Sequence, residues 1–436
     1  MKQEQFFLCC GLNIRRVNWA DLLLSPPMLI AYLLLTIGLF GWVEIYHLRF
    51  FHHFVNNWDI IKVAGGEPEA LKETAIALKQ QIFALPEVEE VNRAEPWGIF
   101  VSQYTYLLYG GSALIFMVAL AELIRLEIAP KVAAALMTFG IAMALGGMIS
   151  IASDWGNPLN IYWMILNPQP QSGMWLMLPL YSVYIPFTFV EIYFLITNNR
   201  EMAQKVAGGL VIAGIIIDII EFFIQGILFN LNTPRHLWTD IPLLFVYFLL
   251  TGALTGIGGA ILFSFLGLKQ KPYFNQSLQL LRKVGLGLIV VVGIYEVINL
   301  ATVDSQWVKL LLHNSPISST YWTYIGLGLV LPFILFLFRS RLLNLIGAIG
   351  ILVGTFLMRQ AFIYGGNIVS MTERVDGLGP QATGVYHLGE IKPFVYISAH
   401  PMEVLIIIGC IGIGILIYTL LDQLLAIRDI NDHLDH

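Results

Sequence analysis

Residues 131–158 read KVAAALMTFGIAMALGGMISIASDWGNP, and this stretch decides the fold. No charged residue falls between Lys131 and Asp154. The run is as long as the roughly 20 apolar residues that a helix needs to cross a bilayer core. A membrane β-barrel would instead show segments of about ten residues in which polar and apolar positions alternate, and this run is continuous. It ends on Asp154, and the residues beyond it are aromatic, Pro-rich and uncharged as far as Glu191. An ionisable group at a membrane boundary is costly to keep, so it stands as a functional hypothesis by default.

The rest of the chain repeats the pattern. Its 436 residues are 57% hydrophobic and 12% charged, with a mean hydropathy of +0.74. A soluble domain carries about 25% charged residues, so the fold class is an all-α integral membrane protein. Ten apolar spans are expected, at 28–46, 97–123, 130–153, 173–197, 203–231, 239–267, 280–301, 321–338, 342–363 and 396–421. Residues 1–27 lack the long apolar core of a cleavable signal and read as a cytoplasmic or interfacial segment, with a helix expected at 13–25. Residues 47–96 and 364–395 are long extracytoplasmic loops, the first with a charged amphipathic stretch from Pro68 to Leu85. Residues 422–436 form a cytoplasmic tail.

Orientation follows from the basic residues, which favour the cytoplasmic side of short loops. With the N-terminus inside, the inner segments carry Lys2, Arg15, Arg16, Arg125, Lys131, Arg200, Lys205, Lys269, Lys271, Arg282, Lys283, Arg339, Arg341 and Arg428. The short outer loops carry only Arg235 and Lys309. The expectation is a multi-pass protein of a bacterial or archaeal inner membrane, N-in and C-in. The tracts Tyr104–Ala121 and Val246–Phe263 each set aromatics before small residues, which reads either as a faint internal repeat or as ordinary membrane-helix composition.

Several chemistries are disfavoured. The cysteines are Cys9, Cys10 and Cys410, with no CxxC, and the nine histidines lie in loops, termini or span ends. No haem or iron–sulfur cluster is therefore expected in this chain, and no metal site. There is no Walker A motif and no dinucleotide fingerprint, and no nucleic-acid partner is expected.

The polar groups gather toward one membrane face. Asp154 closes the third span. Tyr181 and Tyr184 lie in the outer part of the fourth, Arg359 in the outer part of the ninth, and His400 and Glu403 open the tenth. A cation at the depth of Arg359 calls for a bundle interior or an acidic partner, and Asp154 and Glu403 are the candidates by depth. Such a pair either serves chemistry or only fixes helix packing. Deeper carboxylates are Glu191, Asp218, Glu221 and Glu296. Asp218 and Glu221, three apart, share a helix face. Together they read as a proton relay or as polar contacts within a bundle.

Four tracts carry a family resemblance: Glu95-Pro96-Trp97-Gly98 with Tyr106–Gly111; Asp154-Trp155-Gly156-Asn157-Pro158 with Ser172-Gly173-Met174-Trp175; Arg359-Gln360 with Gly365-Gly366-Asn367; and His400-Pro401-Met402-Glu403. In that order the chain resembles the NrfD/PsrC family over about residues 95–421. It looks most like the ten-span branch of hydrogenase-2-type, Dsr-type, Qrc-type and alternative complex III membrane subunits. The sequence departs at Trp155 and Asn157, where the family motif has Leu and Arg, and at Gly173, where it has Pro. The resemblance implies two four-helix bundles with flanking helices, placed at 97–231 and 232–363. It implies a menaquinone or ubiquinone as bound substrate. It also implies an iron–sulfur, ferredoxin-like subunit and a catalytic subunit on the extracytoplasmic side.

The function expected is a quinone-reacting subunit of a respiratory oxidoreductase. Asp154 with Tyr181, Tyr184 and His400 would contact the quinone oxygens, Asp154, Arg359 and Glu403 would act in catalysis, and Glu191, Asp218, Glu221 and Glu296 would relay protons. The alternatives are a secondary transporter, for which the glycine run Gly252–Gly259 would break a helix near the midplane, and a structural membrane anchor.

Overall fold

The computed structural model describes residues 6–9, 12–15, 17–57, 97–154, 161–197, 200–231, 236–239, 241, 243–303, 308, 311–313, 317–367 and 399–428. The amphipathic stretch from Pro68 to Leu85, the residues 155–158 just past Asp154, and most of the segment 364–395 lie outside them. Among the described residues ten helices are long and apolar enough to cross a membrane, and they fall on the ten expected spans. The segment before them differs from expectation. A hairpin of β1 (Phe6–Cys9) and β2 (Leu12–Arg15) precedes a one-turn helix α1 (Trp19–Leu23). Asn18 caps α1, its Oδ1 accepting from the Ala20 N–H at 3.2 Å, so helix begins there rather than at 13.

The first span is α2 (Pro26–Asn57). α3 (Ile99–Leu123), α4 (Ala129–Ser153), α6 (Gly173–Ile196) and α7 (Arg200–Asn230) then pack as one four-helix bundle, with the short α5 (Ile161–Leu166) between α4 and α6. After a single turn, α8 (His236–Thr239), the second bundle comprises α9 (Leu244–Gly267), α10 (Phe274–Thr302), an eighth span with a π-helical turn inside it, and α13 (Arg341–Asn367). The eighth span runs continuously as α11 (Ser318–Tyr324), a π-helical turn at Ile325–Val330, and α12 (Leu331–Leu337). The last span, α14 (Pro401–Leu425), pairs with α2, and α14 also packs against α4.

The bundles meet where α3 crosses α9, the two tracts whose small residues suggested a repeat. A Cβ on Gly252 would stand 2.6 Å from the Tyr109 carbonyl oxygen, and one on Gly256 would stand 2.7 Å from that of Gly110. Small residues let helix backbones approach in lipid, where no hydrophobic force drives helices together. The glycine run therefore serves close packing. α9 runs unbroken through it, so the break expected of a transporter is not there.

Antiparallel alternation puts the ends of α4, α7, α10 and α13 beside the starts of α3, α6, α9 and α14. This is the Asp154 end of the molecule; Glu122, at the close of α3, marks the other. Aromatic rings fill the core at the Asp154 end. Trp238 stacks on Trp97 at a centroid distance of 4.9 Å, meets Phe229 edge-on, and donates its Nε1–H to the Phe362 carbonyl at 2.8 Å. Gly366 lies under the same indole, so closely that a Cβ there would enter the ring.

Candidate functional site

The stripe that builds the site is read along α7. Gly214, Asp218, Glu221 and Gln225 are spaced four, three and four, so they share one face, and that face turns toward α3 and α6. Asp218, Glu221 and Gln225 are all buried, at 1%, 0% and 0% exposure. The absent side chain of Gly214 makes room for Glu191 of α6, whose carboxylate occupies the space a Cβ would take.

At the Asp154 end of the stripe the polar groups form one hydrogen-bonded network across three helices. Gln225 donates through Nε2 to the Tyr104 hydroxyl at 2.8 Å and to the Tyr181 hydroxyl. Its Oε1 accepts from the Tyr109 hydroxyl at 2.5 Å. The two hydroxyls of Tyr104 and Tyr181 lie 3.3 Å apart. Tyr181 and Ser112 each donate to Oε1 of Glu221 at 3.2 Å. The other Glu221 oxygen and both Asp218 oxygens make no hydrogen bond among the described residues. Tyr184, one turn beyond Tyr181, faces Asp218 and Glu221. Farther toward the Glu122 end, Asp218 interacts with Glu191 and Glu191 with Glu122. From Glu221 to the level of Gly214, where Glu191 sits, carboxylates thus succeed one another along roughly 10 Å of α7 at 1.5 Å per residue, and Glu122 continues them toward the close of α3.

Arg359 sits beside this network and is fully buried. Its guanidinium lies 5.2 Å from the centroids of both Tyr109 and Phe248, and Nη2 donates to the Thr251 hydroxyl at 2.9 Å. Nε and Nη1 have no hydrogen-bond partner among the described residues. The expected pairing of Arg359 with Asp154 or Glu403 is not what the structure contains. Aromatic faces, which attract a cation through the ring quadrupole, take the place of a carboxylate.

The remaining expected site residues separate. Asp154 is the half-buried C-cap of α4, beside Ser153, which accepts from Trp42 Nε1 at 2.7 Å. His400 and Glu403 begin α14 as a capping box. His400 Nδ1 accepts from the Met402 N–H at 3.2 Å, and Glu403 Oε2 accepts from the His400 N–H at 2.9 Å. In this arrangement one Glu403 oxygen helps to start the helix. Ser172 caps α6 through its side chain alone, accepting from the Trp175 N–H at 3.4 Å. Glu296 does not join the α7 stripe. It lies in the second bundle, where Tyr321 and Tyr324 donate to its two oxygens at 3.2 and 2.8 Å.

Sequence reading missed Tyr104, Tyr109, Ser112, Gln225 and Glu122. One local signal was available for Gln225, which follows Glu221 by one helical turn. The others are identified by contacts across helices that no local pattern carries.

The fold and the site together define a membrane protein with ten candidate spanning helices among the described residues and a buried tyrosine–carboxylate network at one end. The family described as "Polysulphide reductase, NrfD" matches residues 87–370, which covers both bundles. The chain belongs to the NrfD family of membrane subunits of redox complexes, which work with iron–sulfur and catalytic subunits. No protein of curated function matches the chain.

Proposed function

We propose that the chain is the quinone-reacting membrane subunit of a multisubunit respiratory oxidoreductase in a bacterial or archaeal cytoplasmic membrane. A menaquinone or ubiquinone enters from lipid at the Asp154 end, which faces outward. It exchanges electrons there with an iron–sulfur subunit, itself joined to a catalytic subunit. Quinone reduction takes up two protons with two electrons, and quinol oxidation returns them, so the site needs groups that hold and move protons. The observation that carries the reading is the network from Tyr104 and Tyr181 through Gln225 to Glu221, continued by Asp218, Glu191 and Glu122.

Each side chain has a task in that reading. The hydroxyls of Tyr104 and Tyr181 and the Gln225 amide hydrogen-bond the quinone oxygens. Asp154, at the mouth, exchanges a proton with them on the outer side. Glu221, with an oxygen to spare, passes protons along the α7 stripe. Arg359 has two unpartnered guanidinium nitrogens and supplies positive charge where the quinone oxygens gain electron density. The aromatic rings of Trp97, Phe229 and Trp238 keep water from the end of the bundle.

General acid–base groups typically contribute about 10²–10⁴-fold to a rate. Glu221→Gln and Asp154→Asn are each expected to lower quinol-dependent turnover by about 10²-fold or more, with the iron–sulfur partner still co-purifying. Full turnover in both variants would remove the proton-handling role and favour a structural anchor.

A further inference from the structure

The second bundle holds a polar cluster that the reading above leaves unused. Glu296 of α10, 4% exposed, is bonded to Tyr321 and Tyr324. Asn299, one turn farther along α10 and 6% exposed, keeps an Oδ1 with no hydrogen-bond partner among the described residues. Two spaces share Glu296 and Tyr321 in their linings. The inner one has a cavity volume of about 30 Å³ and is lined by Glu296, Asn299, Tyr247 and Met358, room for one hydroxyl or one water. The outer one, about 410 Å³, is an open crevice between α10 and the eighth span, with walls at Gly293, Val297, Trp322, Ile325 and Phe333.

Two backbone features shape the crevice. The π-helical turn at Ile325–Val330 forms part of its wall, and such turns inside helices occur often at functional sites. Gly293 leaves open space, with nothing within 4 Å of where its Cβ would stand. The crevice wall is apolar and its floor is polar. The floor lies six residues inside the end of α10, about 9 Å at the helical rise. A phospholipid headgroup belongs at the interface and would not reach it. An acyl chain would reach it but would leave the Asn299 acceptor unanswered, and an unanswered buried acceptor is costly.

We propose that this crevice is a second binding site in the chain, taking the ring of a lipid-soluble quinol. The ring and its tail lie along α10 and the π-helical turn. One ring hydroxyl enters the inner space and donates to Asn299 Oδ1, beside the Glu296–Tyr321 pair. The site shares α13 with the network of the first bundle: Met358 lines the inner space, and the next residue is Arg359. It rests on the proposed function only in the identity of the ligand, since the cavity and its polar floor stand apart from the α7 stripe.

The test is photolabelling of the full chain in lipid nanodiscs with an azido-quinol, followed by peptide mapping. Two labelled regions are expected, one on α6 and α7 and one on α10 and α11. Gly293→Leu fills open space, so the protein should fold normally, and it should abolish labelling of α10 and α11 while sparing α6 and α7. Asn299→Leu should weaken labelling of the crevice by about fivefold, the loss of one hydrogen bond. Label on α6 and α7 alone overturns the second site. So does crevice label that survives Gly293→Leu, or that ignores Asn299→Leu and is displaced by added phospholipid, which marks an acyl-chain groove. Label on α10 and α11 alone upholds the second site and overturns the first-bundle assignment. Label nowhere overturns both.

Discussion

Arg359 carries its charge where no carboxylate answers it among the described residues. Insertion scales put an arginine at the middle of a membrane helix at about 2.5–3.5 kcal/mol. Desolvated cation–π contacts contribute about 2 kcal/mol each, so the Tyr109 and Phe248 faces together are enough to offset that cost. Planarity then matters as much as charge. Arg359→Lys keeps the charge but loses the planar face and the bond to Thr251, and it should lower stability in detergent by about 1–2 kcal/mol. Tyr109→Leu should cost a similar amount, and the double variant should cost less than the sum, because the two residues touch. Thermal unfolding of the three variants measures this, and strict additivity would contradict the contact. The residue scale is also where the sequence was least legible. The charge at Arg359 could be seen, but its aromatic partners lie on other helices, and the search for an acid pointed to Asp154 and Glu403. His400 and Glu403 drew attention as polar residues at a span entrance, and that is where helix caps are needed as well.

At the scale of elements, hydropathy did most of the work. Runs of about 20 apolar residues have few structural options in lipid, because every backbone N–H and C=O must bond within the segment. The ten spans were therefore readable, while the hairpin before α1 was not, since four-residue strands are too short for hydropathy to mark. The meaning of the glycines depended on the partner helix. The run in α9 fits a helix break and a close crossing equally well as sequence, and the Tyr109 and Gly110 carbonyls decide for the crossing. Gly256→Leu should therefore destabilise the protein by about 1–3 kcal/mol or more through overpacking. Gly287→Leu, which meets open space, should stay within about 0.5 kcal/mol. Equal effects in the two variants would contradict the packing of α3 on α9. The acidic stripe of α7 was half legible: the spacing of Asp218 and Glu221 showed a shared face, but Glu122 and Glu191 join it only through the packing of α3 and α6.

At the scale of the molecule, the two bundles place a tyrosine–carboxylate network near the Asp154 end and an acid, Glu122, near the other. If the stripe conducts protons, they enter from the Glu122 side. Glu122→Gln should slow proton uptake from that side in sealed vesicles with little change in quinone affinity, and unchanged uptake would disconnect the stripe from the site. The proposed N-in orientation makes a separate prediction. A cysteine at Ser172 should react with an impermeant thiol reagent only from outside, and one at Lys269 only from inside. The opposite pattern would invert the sidedness of the mechanism and leave the site itself intact.

The central claim is the position of the quinone ring, and a cryo-electron-microscopy map of the chain with its partner subunits and bound quinone measures it most directly. The account predicts a ring at the Asp154 end of the first bundle, with an oxygen about 3 Å from the side chain of Tyr104, Tyr181 or Gln225. An active complex whose quinone density lies only outside the first bundle would contradict it.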